Sequence, residues 1–257
     1  MSETALITGA TSGIGAEFAR QLAAGGCNLV LVGRREDRLR ALAAELAQQH
    51  GITAEVLLAE LATEAGVAAV EAKIAALPRL DMLVNNAGFG FEGTFAQTDI
   101  QPHLDMIQVH VLATVRLTHA ALPGMLNRKA GSVINVSSVA AYLPYPGGAT
   151  TYNATKAYLN MFTRALSAEL HASGVKVMVL CPGFTLSEFH DRPGLESFNR
   201  ADYPRFIWLS AQQVVSTALK DLRRGKVVCV PGWMYQLLTA FGDSPLTGWL
   251  IRRFNRP

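Results

Sequence analysis

The 257-residue chain is short of cysteine, of charge and of long apolar runs, and each shortage removes a class of protein. Its three cysteines, Cys27, Cys181 and Cys229, are odd in number and form no CxxC pair, which excludes a disulfide framework and a cysteine zinc site. All lie in apolar runs and read as core thiols in a reducing compartment. Charged residues make up 17% of the chain with a net charge of +3, too little base for a nucleic-acid footprint. No apolar stretch approaches the roughly 20 residues needed to span a bilayer. The N-terminus, MSETALITGATSGIG, has no basic n-region or cleavage site before its first apolar run. A cytoplasmic protein without a transmembrane segment is expected. His50, His103, His119, His171 and His190 are scattered without ligand spacing, so no metal site is expected.

Half of the residues are apolar, enough for a sizeable buried core. Short apolar runs recur at 5–8, 29–32, 54–58, 82–84, 133–136, 177–180 and 227–230, and read as strands buried on both faces. Segments of helical period lie between them, with Leu39, Leu42 and Leu46 after the second run and Leu159, Phe162, Leu166 and Leu170 before the sixth. This alternation implies right-handed crossovers and an α/β, doubly wound, Rossmann-type fold: a seven-stranded parallel sheet with helices on both faces. No linker or composition shift divides the chain, so 1–257 reads as one domain. Ligands of such sheets bind beyond the carboxyl ends of the strands. The irregular segment 185–206 follows a strand end and is placed to be a substrate lid, and 232–257 is an aromatic, basic tail.

Residues 8–15 read TGATSGIG at the first strand-to-helix junction. Glycines there permit a tight turn and a close backbone approach to a pyrophosphate, which the helix dipole favours. Gly9, Thr11, Ser12, Gly13, Ile14 and Gly15 are the candidate cradle. About 20 residues on, where an NAD site would place a carboxylate for the ribose, the chain reads Gly33-Arg34-Arg35. A guanidinium can bind a 2′-phosphate with a charge-assisted fork, so Arg34 and Arg35 favour NADP(H) over NAD(H). The other reading leaves both arginines capping a strand in solvent. Tyr152 and Lys156, four apart, share a helix face, where an ammonium can lower a phenol pKa and make the tyrosine a general acid. Ser137 and Ser138, at the end of the fifth apolar run, offer a hydroxyl to a substrate oxygen.

In this order the motifs resemble the short-chain dehydrogenase/reductase family over essentially the whole chain: TGATSGIG, Asn85-Asn86-Ala87-Gly88, the Ser-Ser strand end, YNATK at 152–156, and Pro182-Gly183. The resemblance implies an NADP(H)-dependent oxidoreductase that interconverts a carbonyl and an alcohol by hydride transfer. It implies that Tyr152 is the proton donor, that Lys156 holds the nicotinamide ribose and lowers the Tyr pKa, and that Ser138 orients the carbonyl. It places Asn86, Ala87 and Gly88 at the adenosine-ribose wall and has Asn85 tie strands together. It counts Pro182 and Gly183 among the cofactor-binding residues and places Thr185 and Ser187, just after them, at the nicotinamide carboxamide. A nicotinamide-binding sensor or scaffold with little turnover is the rival reading, because fold alone does not establish activity.

The chain departs from the family pattern at three places. Glu60, followed by Leu61, stands where an Asp commonly bonds the adenine amine. The interval from Ser138 to Tyr152 is one residue longer than usual, which keeps Ser137 as the alternative serine. His110 stands where an Asn commonly holds a proton-relay water; it is read either as taking over the relay or as an inert replacement on a buried face.

Phe184, Phe189, Phe198, Tyr203, Phe206, Tyr142 and Tyr145 suit an apolar or acyl carbonyl better than a sugar phosphate. The resemblance also implies a homodimer or homotetramer built through long helices, here including 152–170. The tail either packs over the pocket or another subunit, or forms an interfacial helix in peripheral contact with a membrane.

Overall fold

Strands with apolar side chains on both faces need cover on both sides, and two helix layers supply it. The computed structural model describes residues 2–91, 93–142, 149–191, 195 and 199–240. Strands β1 (Thr4–Thr8), β2 (Asn28–Gly33), β3 (Ala54–Leu58), β4 (Met82–Asn85), β5 (Gly131–Val136), β6 (Val175–Leu180) and β9 (Val228–Cys229) fall on the seven apolar runs. They form one sheet in the order β3-β2-β1-β4-β5-β6-β9, all neighbours parallel. The order reverses between β1 and β4, the position where such sheets open a ligand crevice.

Successive strand residues point to opposite faces, so Leu6 and Ile7 enter different cores. On the Ile7 side, α1 (Gly13–Ala24), α2 (Glu36–His50) and α7 (Ala211–Arg223) contribute Phe18, Leu39, Leu46, Val214 and Ala218. On the Leu6 side, α3 (Glu64–Ala76) and α5 (Ala113–Arg128) contribute Val67, Val70, Leu117 and Met125. Each large apolar side chain so buried contributes about 1.5–3 kcal/mol. Local signals set the helix starts: Thr63 accepts the Gly66 N–H at the head of α3, and Ser210 forms a capping box with Gln213 at the head of α7.

Two features have no counterpart in the sequence reading. Helix α4 (Ile100–Ile107) runs into α5 through a π-helical turn, Gln108–Leu112, which buries His110. The segment after β6 forms β7 (Thr185–Leu186), paired in parallel with β8 (Leu209–Ser210). Helices α6 (Thr150–Glu169) and α8 (Trp233–Ala240) complete the described elements. All three cysteines are free and buried, and burial pushes the Cys27 and Cys181 thiols up to about 12. Among the described residues no helix is long and apolar enough to cross a membrane.

Candidate active site

A cleft of about 1940 Å³ opens at the carboxyl edge of the sheet. Pockets for a single small ligand span roughly 300–1,000 Å³, so this one has room for a dinucleotide and a second molecule. Gly9, Thr11, Ser12, Gly13, Ile14, Arg34, Arg35, Glu60, Leu61, Asn86, Ala87, Gly88, Ser138, Tyr152, Lys156, Pro182, Gly183, Thr185 and Ser187 all line it. Gly15 and His110 are buried and do not line it.

The glycine-rich turn is closed from behind. A Cβ on Gly15 would stand 2.3 Å from the Gly9 carbonyl oxygen, so α1 can begin against the turn only with glycine there. The Asn86 amide donates to the Thr8 and Gly9 carbonyls at 2.9 and 3.2 Å, and the Thr8 hydroxyl accepts the N–H groups of Asn86 and Ala87. Ser12, the N-cap of α1, makes no side-chain cap, which leaves the first N–H groups of the helix for an anion. A pyrophosphate fits this cradle. Asn85 holds the strands, donating to Asn135 at 2.9 Å and Thr118 at 3.1 Å.

At the other end of the cleft Ser138, Tyr152 and Lys156 converge. The Ser138 hydroxyl acts on the Tyr152 phenol in the direction that lowers its pKa, accepts the Ala140 N–H at 3.1 Å and donates to the Pro182 carbonyl at 3.5 Å. Ser137 is buried and donates instead to the Lys156 carbonyl at 2.7 Å, which separates the two serines: Ser138 faces the cleft chemistry and Ser137 anchors α6. The Lys156 ammonium donates to the Val136 carbonyl at 2.9 Å and lies 5.6 Å from the centre of the Tyr152 ring. Desolvation pulls Lys156 down to about 8. The Tyr152 ring is partly exposed at the cleft wall, but desolvation of its hydroxyl pushes the phenol up to about 12, with the Ser138 bond acting the other way. Burial is the larger of the two causes, and it holds the phenol protonated.

His110 sits behind this group. Its Nε2 accepts the Phe89 N–H at 3.1 Å, and its Nδ1 lies 2.9 Å from the Thr155 hydroxyl, which itself donates to the Tyr152 carbonyl at 2.9 Å. With the Thr155 proton so committed, Nδ1 carries the ring proton and the imidazole is neutral. Burial and the Lys156 charge hold its pKa well below the usual histidine value. Both ring nitrogens are engaged, so His110 ties the segment after β4 to α6.

Residues of β7 and of the described stretches after it line the cleft. Phe189 stands 6.0 Å from the Tyr152 ring, and Phe184 lies 4.8 Å from Tyr203 and 5.1 Å from Trp208. Tyr235 of α8 packs on Gly183; its hydroxyl accepts the Phe184 N–H at 3.0 Å and donates to the Ile207 carbonyl at 2.7 Å. Tyr235 and Leu238 line the cleft, the part of the tail that packs over it. Of the other aromatic residues expected at the substrate, Tyr142 turns away to Cys181, and Phe206 is 78% exposed. Tyr145, Phe198, the His190 side chain and the tail beyond Ala240 lie outside the described residues.

A family model described as short chain dehydrogenase matches residues 3–194. The chain belongs to the short-chain dehydrogenase/reductase family. It is an oxidoreductase acting on alcohol and carbonyl groups. It is 40% identical to serine 3-dehydrogenase of Agrobacterium fabrum over 195 residues, covering 74% of each chain. A short-chain dehydrogenase from Sphingobium yanoikuyae, solved in complex with NADPH, superposes with a TM-score of 0.85 at 33% identity, covering 96% of this chain and 95% of that one. The bulky-bulky ketone specific alcohol dehydrogenase of Comamonas testosteroni superposes with a TM-score of 0.81 at 29% identity, covering 96% and 93%.

The sequence reading missed Thr155, Tyr235 and Glu188. Thr155 lies inside the YNATK motif, one residue before Lys156, and its spacing gave the only available signal. Tyr235 and Glu188 act through contacts 51 and 153 residues away in the chain, for which no local pattern exists.

Proposed function

We propose that the protein is a cytoplasmic NADP(H)-dependent enzyme that interconverts an apolar or acyl-type ketone or aldehyde with its alcohol, with Tyr152 as general acid and base. The observation that carries this reading is the meeting of Ser138, Tyr152 and Lys156 on one wall of a cleft whose other end is a phosphate cradle. Thr11, Ser12 and Gly13 would hold the pyrophosphate, Arg34 and Arg35 the 2′-phosphate, Asn86, Ala87 and Gly88 the adenosine ribose, and Thr185 and Ser187 the carboxamide. The cofactor supplies or accepts the hydride when bound. In reduction, the protonated Tyr152 hydroxyl donates to the substrate oxygen while Ser138 orients that oxygen. Lys156 spends one N–H on Val136 and keeps the others for the nicotinamide ribose and for proton supply to Tyr152.

Phe184, Phe189, Leu195, Tyr203 and Leu238 support an apolar substrate, as does the bulky-ketone specificity in the name of the Comamonas neighbour. The NADPH-bound Sphingobium neighbour supports the cofactor. Segment 185–206 is read as the substrate lid, within a single domain. The assembly is read as a homodimer or homotetramer; exposed Leu104, Ile107 and Leu112 on α4 and the π-helical turn, and exposed Tyr158 and Met161 on α6, which packs against both, support an apolar subunit contact. NADPH and NADH oxidation against a panel of bulky ketones, acyl carbonyls and keto sugars tests the reading. Turnover with NADPH on the apolar members supports it, and activity confined to NADH or to sugars overturns it.

A further inference from the structure

We propose that Glu188 is a built-in competitor of the cofactor's 2′-phosphate, its carboxylate sitting on the paired guanidinium groups of Arg35 and Arg38. The inference rests on the NADP(H) reading and adds two residues to it. Glu188 Oε2 accepts from Arg35 at 3.0 Å and from Arg38 at 2.6 Å, and its Oε1 accepts from Arg38 at 2.6 Å. Arg35 is fixed on its other edge by the Thr11 hydroxyl at 2.7 and 3.2 Å and the Ser12 hydroxyl at 2.9 Å. Its guanidinium therefore lies on the glycine-rich turn with one side turned to an anion. Arg38, in the first turn of α2, faces that same anion.

The carboxylate stands on the short helical turn, Glu188–Asp191, that follows β7. A Cβ on Gly13, which has a φ of +56°, would stand 3.0 Å from Ser187 Cβ, so this segment rests on the cradle itself. Arg34 is likewise held, by Glu60 at 2.9 Å, and the other Glu60 oxygen accepts the Ala62 N–H. Both arginines expected at the phosphate thus carry internal carboxylates. The Arg35, Arg38 and Glu188 side chains are 39–50% exposed, and ion pairs of that exposure are weak enough to exchange. A phosphate brings more charge and more acceptor oxygens than a carboxylate and forms the stronger forks with Arg. Displacing Glu188 costs its two ion pairs, and leaving it in place sets two anions side by side. Either way NADPH binding is weakened, whereas NADH has no phosphate at that point.

Titration of NADPH and NADH into the full chain, wild type and Glu188→Gln, tests this. The variant keeps the side-chain size and removes the charge. Its Kd for NADPH is expected to fall about fivefold, the size of an exposed charge pair, while its Kd for NADH stays put. Unchanged NADPH affinity, weaker NADPH binding, or an equal shift for both cofactors overturns the proposal. The wild-type ratio of NADPH to NADH affinity separately decides the cofactor reading: a chain that prefers NADPH but shows no selective gain in the variant keeps that reading and loses the role of Glu188.

Discussion

His110 Nδ1 lies 2.9 Å from the Thr155 hydroxyl, and that contact fixes the ring as a neutral imidazole with its proton on Nδ1. The position carries an Asn in many members of the family that the sequence resembles, with a water relay attached. Here the imidazole spends one nitrogen on Phe89 and the other on Thr155, and so acts as a strut between the segment after β4 and α6.

The strut makes His110 a positioning residue with a distinct signature. Between pH 5.5 and 7.5 the profile of kcat is expected to show no limb from His110, because its pKa is held well below the usual histidine value. His110→Asn should leave the shape of that profile unchanged while lowering stability by about 1–3 kcal/mol through unpaired buried groups. A limb near neutral pH that disappears in the variant would restore the relay role.

Lys156 predicts a limb at higher pH. Desolvation holds it at about 8, so its ammonium is charged below that pH and neutral above it. Carbonyl reduction consumes a proton, and its rate should fall as pH rises through 8 while alcohol oxidation rises. The folding sign follows from the same shift. Unfolded lysine titrates near 10.5, so between about 8 and 10.5 the unfolded chain binds more protons, and this group adds stability as pH rises. Urea unfolding at pH 7.5 and 9.5 should show that gain in the wild type and lose it in Lys156→Met.

Gly15→Ala tests the cradle. Its Cβ would stand 2.3 Å from the Gly9 carbonyl oxygen and against the Asn86 amide nitrogen, which the Thr8 and Gly9 carbonyls hold in place. The substitution should cost about 1–3 kcal/mol of stability by overpacking and weaken NADPH and NADH together, since both carry the pyrophosphate. Thermal melts with and without cofactor read both effects.

Met161 is 65% exposed on α6, beside exposed Tyr158. Met161→Arg places a charge on the apolar face read as the subunit contact, and should shift the chain to a smaller species in sedimentation velocity. An unchanged oligomer would move the contact elsewhere.

The central strands were legible because residues buried on both faces read as apolar runs, as in β1, whereas β3 at the sheet edge, with Glu55 and an exposed Leu58, still falls on the run 54–58 residue for residue. The cradle and the Tyr152–Lys156 pair were legible because their residues are close in sequence and sit at element junctions. What the sequence hid depends on distance or on solvent. The π-helical turn at Gln108–Leu112 changes the hydrogen-bond partner without changing residue type, so nothing announced which way His110 would face. Strands β7 and β8 have two residues each, too few to show alternation. The i, i+4 spacing put Lys156 beside Tyr152 but said nothing of the desolvation that pushes the phenol up to about 12.

The most direct measurement compares wild type with Tyr152→Phe for both NADPH affinity and turnover on a bulky ketone. The substitution removes only the hydroxyl of a side chain that lines the cleft with Ser138 and Lys156. Turnover should fall by at least about 10²-fold, the lower end of what a general acid contributes, with the NADPH Kd nearly unchanged. A Phe variant that turns over at the wild-type rate would contradict the assignment of Tyr152 as the proton donor.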